Sequence, residues 1–321
     1  MSSLASALAT VPRMRYVVTG AAGFIGSHLS EALGAAGHDV LAVDTFTDYY
    51  DPARKRENVE GLDVVEADLE TAELETLLDG VDGVFHLAGQ PGVRASFGAD
   101  FELYVRRNVV ASGRVFEAAA QRGTRVVYAS SSSVYGDAES FPTSEDVQPR
   151  PISPYGVTKL ACEHLHYAHA RASGLEAVGL RYFTVYGPRQ RPDMAMTRML
   201  EALAKGTSFP LYGDGSASRS FTYVTDAVAA TIAAMDNGAS GAVYNVGGGQ
   251  EASMTEAIAL AERIAGRELR IEPHEAATGD VRRTRADVRK ALDELDWAPQ
   301  TALADGLAAQ WQWVAGRVAA P

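Results

Sequence analysis

The chain has 321 residues, 46% of them hydrophobic, and a formal net charge of −12. That length allows a large core and about two lobes, in the composition range of a soluble globular protein. The negative balance argues against nucleic acid as a partner, and no apolar run approaches the ~18–20 residues of a membrane span.

Residues 1–13 carry no basic segment followed by an apolar core. They are expected to form a short flexible arm rather than a secretory leader. The single cysteine, Cys162, excludes an intramolecular disulfide and a cysteine-based zinc site. Together these features suggest the cytoplasm.

Residues 15–19 read as a buried strand, and 24–36 have helical periodicity after a glycine-rich turn. The second strand spans 39–44. Further strands are expected near 63–66, 84–87, 125–130 and 177–181, with helices over 72–78, 99–122 and 154–173 between them. This alternation implies an α/β fold with a Rossmann-type, doubly wound parallel sheet. After Arg181 the rhythm changes. Pro188-Arg189-Gln190-Arg191-Pro192 is a loop, Asp214-Gly215 and Gly247-Gly248-Gly249 are turns, and 243–246 reads as one more sheet strand. The expected organisation is a nucleotide-binding domain over 14–186, a return to its sheet near 222–249, and a smaller, discontinuous carboxyl-terminal lobe from 187–221 and 250–321.

The turn Gly20-Ala21-Ala22-Gly23-Phe24-Ile25-Gly26 follows a strand and opens a helix. Its glycines permit close backbone approach, and the helix amino terminus can face a pyrophosphate. Asp44 ends the second strand, where an acid accepts the adenosine ribose hydroxyls and repels a 2′-phosphate, which favours NAD over NADP. Asp68-Leu69 is placed to cover the adenine. Leu87-Ala88-Gly89-Gln90 is placed along the diphosphate and nicotinamide ribose.

Tyr155 and Lys159 stand four apart at the start of the 154–173 helix, on one helical face. A nearby cation favours a phenolate, so the tyrosine can serve as a base. Ser130-Ser131-Ser132-Ser133 closes the fifth strand at the sheet edge where ligands of open α/β sheets bind. A serine hydroxyl there can share the proton of a substrate alcohol, and Lys159 can bond the nicotinamide ribose. The chemistry is alcohol oxidation with hydride transfer. His164, His166 and His169 do not share one helical face and no metal site is expected. His86, Trp311 and Trp313 are expected to pack.

Several segments together resemble the extended short-chain dehydrogenase/reductase family, in its nucleotide-sugar epimerase and dehydratase branch. They are 19–26, Val134-Tyr135-Gly136, Tyr155-x-x-x-Lys159, Arg181 to Pro188 and Arg219 to Val224, and the likeness runs from Tyr16 to about Trp313. The resemblance implies a tightly held NAD, a nucleoside-diphosphate sugar and a homodimer built on the two long helices. By position it makes Ser131 the catalytic serine and Tyr155 the base. It also implies that Asn108, Ser130 and Tyr182 meet the cofactor and that Arg94 meets the substrate.

Dehydratases of this branch carry Asp-Glu after the catalytic serine, and the related decarboxylases carry Glu at the second of those positions. This chain has Ser132-Ser133, which points toward epimerisation. Asp48-Tyr49-Tyr50-Asp51-Pro52 with Lys55-Arg56, and Arg191-Pro192-Asp193-Met194-Ala195, resemble the UDP-glucuronate 4-epimerases. Uridine glucose/galactose epimerases usually have Asn where Thr184 stands. In that setting Arg191 would clamp a C6 carboxylate, with Ser132, Ser133 and Thr184 as further donors. The loop departs from relatives that read Gly-Pro-Trp-Gly-Arg-Pro, because Arg189 and Gln190 occupy the middle positions. Arg189 and Arg191 both remain candidates to meet the carboxylate. The resemblance further implies Arg219 and Arg282 at the diphosphate, Asp280 at a ribose hydroxyl, and backbone groups of 209–212, bounded by Phe209 and Tyr212, at the uracil. The alternatives are a UDP-glucose 4-epimerase, a UDP-glucuronate decarboxylase, or a sensor of NAD or nucleotide sugar without turnover.

Overall fold

The computed structural model describes residues 12–275 and 281–319. Most of the expected arm, residues 1–11, and Asp280 lie outside the described residues. The first part of the chain runs β1 (Arg15–Thr19), α1 (Phe24–Ala35), β2 (Asp39–Asp44), α2 (Pro52–Asn58), β3 (Val64–Glu66), α3 (Leu74–Leu77), β4 (Gly83–His86), α4 (Phe101–Tyr104), α5 (Ala111–Arg122), β5 (Arg125–Ser131), α6 (Pro154–Ser173) and β6 (Ala177–Tyr182). It continues with β7 (Thr184–Tyr186), α7 (Ala195–Lys205), β8 (Ser208–Tyr212), β9 (Ser218–Tyr223), α8 (Val224–Asn237), β10 (Val243–Val246), β11 (Gln250–Ser253), α9 (Met254–Ala265), β12 (Arg270–His274), β13 (Arg283–Thr284), α10 (Arg289–Leu295) and α11 (Leu303–Ala319).

Seven strands form one sheet in the order β10-β6-β5-β4-β1-β2-β3, and every pairing in it is parallel. Its strands are apolar on both faces, as a sheet covered by helices on both sides requires. Val18, Phe85, Val127 and Val178 pack into one core, and Val17, Val84, Val126 and Ala177 into the other. The register sets Thr19 beside Val43 and His86, and Ser131 beside Tyr182. It therefore brings the carboxyl ends of these strands, and the loops that follow them, to one edge.

The remaining strands are shorter. β11, β9, β13 and β7 share a small sheet, and β8 pairs with β12. Met199, Leu200, Phe209, Phe221, Leu303 and Leu307 form their core. Trp311 and Trp313 pack against that core, as expected.

Three elements differ from the sequence reading. The 72–78 helix is a single turn, Leu74–Leu77. The 99–122 helix is interrupted by a π-helical stretch, Val105–Val110, which shifts the helical face beside Asn108. α2 was not expected, although Asp51 caps it through Ala53 N–H at 2.9 Å and Pro52 opens it.

Candidate active site

The β1–α1 turn builds the first wall of an open cleft of about 1110 Å³, solvent space included. A Cβ on Gly26 would stand 2.2 Å from the Gly20 carbonyl oxygen, so only glycine lets the helix close on the turn. No side chain caps α1 at Gly23, which leaves its amino terminus to an anion. Asp44 accepts from Ala22 N–H at 3.0 Å and from Phe46 N–H at 2.8 Å, which fixes the carboxylate at the cavity wall. Gly20, Gly23, Phe24, Ile25, Gly26, Asp44, Asp68, Leu69, Leu87, Ala88, Gly89, Gln90 and Tyr182 all line this one cavity.

The cavity also contains residues that were not singled out as ligands. Tyr50, Lys55 and Arg107 line it. The Tyr50 hydroxyl is buried without a hydrogen-bond partner among the described residues, and burial raises its pKa to about 12. An orphaned donor beside a glycine cradle and an anchored carboxylate fits a dinucleotide. Lys55 donates to Thr47 O and Thr47 Oγ1 at 2.7 and 2.8 Å, and burial lowers its pKa. The Asp51-Pro52 cap was the available signal for Lys55, since it starts the helix that delivers the lysine. Arg107 donates to Gln90 Oε1 at 2.7 Å.

Of the other residues expected at the cofactor, Asn108, Ser130, Tyr155 and Lys159 are not on the cavity wall. Asn108 stands behind the Gly89-Gln90 backbone, accepting from Gln90 N–H at 2.7 Å and donating to Thr158 Oγ1 at 2.9 Å. Ser130 faces away and donates to Glu163 at 2.5 Å. Strand alternation explains this, because Ser130 and Ser131 project to opposite faces. Glu163 also takes a bidentate pair from Arg181 at 2.9 and 2.7 Å, nearly buried on both sides. Burial works against the charged guanidinium, but Glu163 outweighs it and raises its pKa. The cluster bolts α6 to β5 and β6.

α6 begins at Ser153, whose hydroxyl caps Gly156 N–H at 3.1 Å, with Pro154 in the first turn. Gly156 allows the helix to lie on the turn after β5, where a Cβ would stand 2.5 Å from Ser133 O. Ser131 caps that turn and accepts from Ser133 N–H at 3.1 Å. Tyr155 N–H donates to Ser96 Oγ at 3.1 Å, and its ring meets Tyr104 edge-on at 6.3 Å. Lys159 is buried. It donates to Ala129 O at 2.9 Å, and its ammonium is 3.3 Å from where a Gly89 Cβ would stand. The serine turn, the tyrosine helix and the cofactor-cavity loop are thus in contact.

A second, polar cavity lies over the serine turn, with Ser132, Ser133, Ser153, Thr184, Arg219 and Thr284 in its lining. Arg219 donates to Ser218 O at 2.8 Å. Arg282 is exposed, and its carbonyl accepts from Ser218 N–H at 3.0 Å. Arg94 stacks over the Tyr212 ring at 4.4 Å. The Phe209 side chain is in the core, which leaves only its backbone for a ligand.

Arg191 is not part of the lining of the second cavity, which Ser132, Ser133 and Thr184 share. It lines the first cavity and forms a bidentate pair with Asp193 at 2.9 and 3.0 Å. Burial disfavours its charge, yet Asp193 raises its pKa. Arg189 takes a left-handed conformation with φ 62°, pairs with Glu31 at 2.6 Å, and keeps its Nη1 buried without a hydrogen-bond partner among the described residues. Of the two loop arginines, Arg191 is the one that lines the first cavity.

His86 is buried as expected, between Thr19 Oγ1 at 2.8 Å and Ser112 Oγ at 3.0 Å. Among the described residues no cluster of three or more His, Cys, Asp or Glu side chains could hold a metal, and no helix is long and apolar enough to cross a membrane.

The family described as NAD dependent epimerase/dehydratase matches residues 16–247. The chain belongs to this family. A solved structure of UDP-glucuronic acid 4-epimerase from Bacillus cereus, in complex with UDP-glucuronic acid and NAD, superposes with a TM-score of 0.92. It is 38% identical, over 95% of this chain and 100% of that one. YtcB of Bacillus subtilis, described as an uncharacterized UDP-glucose epimerase, is 40% identical over 92% of this chain and 96% of its own. The UDP-glucuronate 4-epimerase of Thermodesulfobacterium geofontis is 34% identical over 93% and 95%.

Proposed function

We propose that the chain interconverts UDP-glucuronate and UDP-galacturonate by NAD-dependent 4-epimerisation. The observation that carries this reading is the contact of the Tyr155–Lys159 helix with the Ser131–Ser133 turn and the Gly89 loop, between a dinucleotide cavity and a polar one. The UDP-glucuronate relatives support the hexuronate.

The first cavity holds NAD, with Asp44 at the adenosine ribose and the α1 amino terminus at the diphosphate. When bound, NAD accepts the C4 hydride of the sugar and returns it. Tyr155 takes the O4 proton, assisted by Ser131, and gives it back when the hydride is returned. Lys159 favours the phenolate and holds the nicotinamide ribose. Oxidation leaves a 4-keto sugar that turns about its diphosphate and presents its other face. Both transfers are undone within the cycle, so the sum is an isomerisation.

Arg219 and Arg282 serve the diphosphate, and residues 187–221 and 250–321 make up the sugar-binding lobe. Ser132, Ser133 and Thr184 donate to the C6 carboxylate, and Arg191 takes it from the cofactor side. The keto sugar is a β-keto acid, and these contacts hold its carboxylate out of alignment with the ketone. Two copies pair through the long helices, whose exposed Val110, Val157 and Tyr167 support that surface.

Incubation with UDP-glucuronate and NMR of the product sugar tests the reading. UDP-galacturonate is expected, without accumulation of reduced cofactor. UDP-pentose with released CO₂ would make the enzyme a decarboxylase, and turnover of UDP-glucose alone would make it a glucose/galactose epimerase.

A further inference from the structure

The guanidinium assigned to the sugar carboxylate already holds a carboxylate. Asp193 offers both oxygens to Arg191, at 2.9 Å from Nε and 3.0 Å from Nη2. This is the fork geometry in which an arginine binds a free carboxylate. The Tyr49 hydroxyl steadies the acid, donating to its Oδ2 at 3.3 Å, and Arg191 stands 6.0 Å above the Tyr49 ring. Burial and Asp193 together keep that hydroxyl protonated, with its pKa raised to about 12. The cluster is partly shielded, with 22% of the Arg191 side chain and 38% of the Asp193 side chain exposed.

The backbone beneath this pair is held firmly. Gln190 is almost wholly buried, and its side-chain oxygen accepts from Thr197 N–H at 3.1 Å, Thr197 Oγ1 at 2.9 Å and Gln310 Nε2 at 3.0 Å. Its amide donates to Val185 O at 2.9 Å. The loop is therefore pinned one residue before Arg191, and adaptation falls to the side chains of Arg191 and Asp193.

Two kinds of sugar meet this arrangement differently. A hexuronate takes the guanidinium over from Asp193, exchanging one carboxylate for another. A neutral hexose leaves the pair intact. Without Asp193, the same hexose would lie beside an arginine with no counter-ion in a partly desolvated cavity, where a lone charge is costly.

We propose that Asp193 is a resident counter-ion for Arg191, and that it opens the site to neutral UDP-hexoses as a second substrate class. This inference rests on the hexuronate reading above. Asp193 then determines specificity by subtraction. It lowers the advantage of the acidic sugar and removes the penalty on the neutral one.

The test is the affinity ratio of UDP-glucuronate to UDP-glucose, measured by calorimetry on the full chain with NAD bound. A Tyr155→Phe background prevents turnover. Both sugars should bind before Asp193 is changed. Asp193→Asn should weaken UDP-glucose by ~10-fold or more and leave UDP-glucuronate equal or tighter. The ratio therefore rises. An unchanged or falling ratio overturns the proposal, as does a parent that does not bind UDP-glucose. If Asp193→Asn does not fold by circular dichroism, Tyr49→Phe decides, because it removes only the bond that steadies the acid. It should raise the ratio by a smaller factor, about two- to threefold, and an unmoved ratio overturns the proposal. Turnover of UDP-glucuronate by the unmodified enzyme is scored separately. If it occurs while the ratio stays fixed, only the counter-ion role fails. If it does not occur, the hexuronate reading fails first.

Discussion

At the scale of single residues, the roles proposed for Tyr155 and Arg191 can be tested separately. Tyr155→Phe keeps the ring against Tyr104 and the backbone bond to Ser96, so the helix start should survive. It removes the hydroxyl proposed as acid and base. Turnover should fall by at least ~10² while the nucleotide sugar still binds. Near-normal turnover would assign the proton to another group. Arg191→Ala acts on the sugar instead. It removes the cation and leaves Asp193 unpaired, so a second carboxylate is repelled as well as unclamped. Binding of UDP-glucuronate should weaken far more than that of UDP-glucose, and some UDP-pentose should leak. Equal losses for both sugars would make Arg191 a structural or diphosphate residue.

Secondary structure turns these side chains into a site, and Gly156 shows how. The backbone of α6 rests on the serine turn because nothing stands between Gly156 and Ser133 O. Gly156→Ala puts a methyl group 2.5 Å from that oxygen and against Pro151. The helix must lift, carrying Tyr155 with it. Stability should drop by about 1–3 kcal/mol in urea unfolding, and turnover by ~10-fold with a smaller effect on sugar affinity. Turnover that held while stability fell would free the tyrosine from the serine turn. The same helix shows what the sequence could and could not reveal. Its limits were legible, because Ser153-Pro154 starts a helix and Gly174 ends it. The glycine turn, Asp44 and the Tyr155–Lys159 spacing were legible for the same reason, since each depends on neighbours in the chain. The outward face of Ser130 depends on Glu163 and Arg181, 33 and 51 residues along the chain. The partner of Arg191 is only two residues away, but a loop carries no periodicity from which to read that pairing. The break in the 99–122 helix was hidden because a helix with apolar residues on two faces masks the one-residue shift of a π turn.

For the molecule as a whole, buried imidazoles set an acid limit. Burial lowers the pKa of His86 from 6.5 to about 3, with Lys159 adding to the effect. Burial lowers His28 and His166 as well. The folded state therefore binds fewer protons than the unfolded chain once the pH is below 6.5. The stability is fully present above that value and is lost as pH falls toward 3. One such group gives a slope of up to about 1.4 kcal/mol per pH unit. Urea midpoints measured between about pH 7.5 and about pH 5 should fall with acidity, and His86→Gln should flatten the trend. An unaltered slope would mean that His86 is not held neutral.

The chain is laced between its sheets. It leaves the large sheet at β6 for β7 and β9, returns through α8 and β10, departs again at β11, and comes back at α10, after which Trp297 bonds to Asp226 O at 2.9 Å. Fabric stitched several times across a seam does not open like a book. A keto sugar that must show both faces to one fixed ring therefore turns as a guest in a room whose walls stay put. Its tail needs a grip that lasts, and the contacts on its carboxylate must be released and remade at each turn. A ligand that filled the space around the sugar ring should then stall the enzyme by preventing the turn.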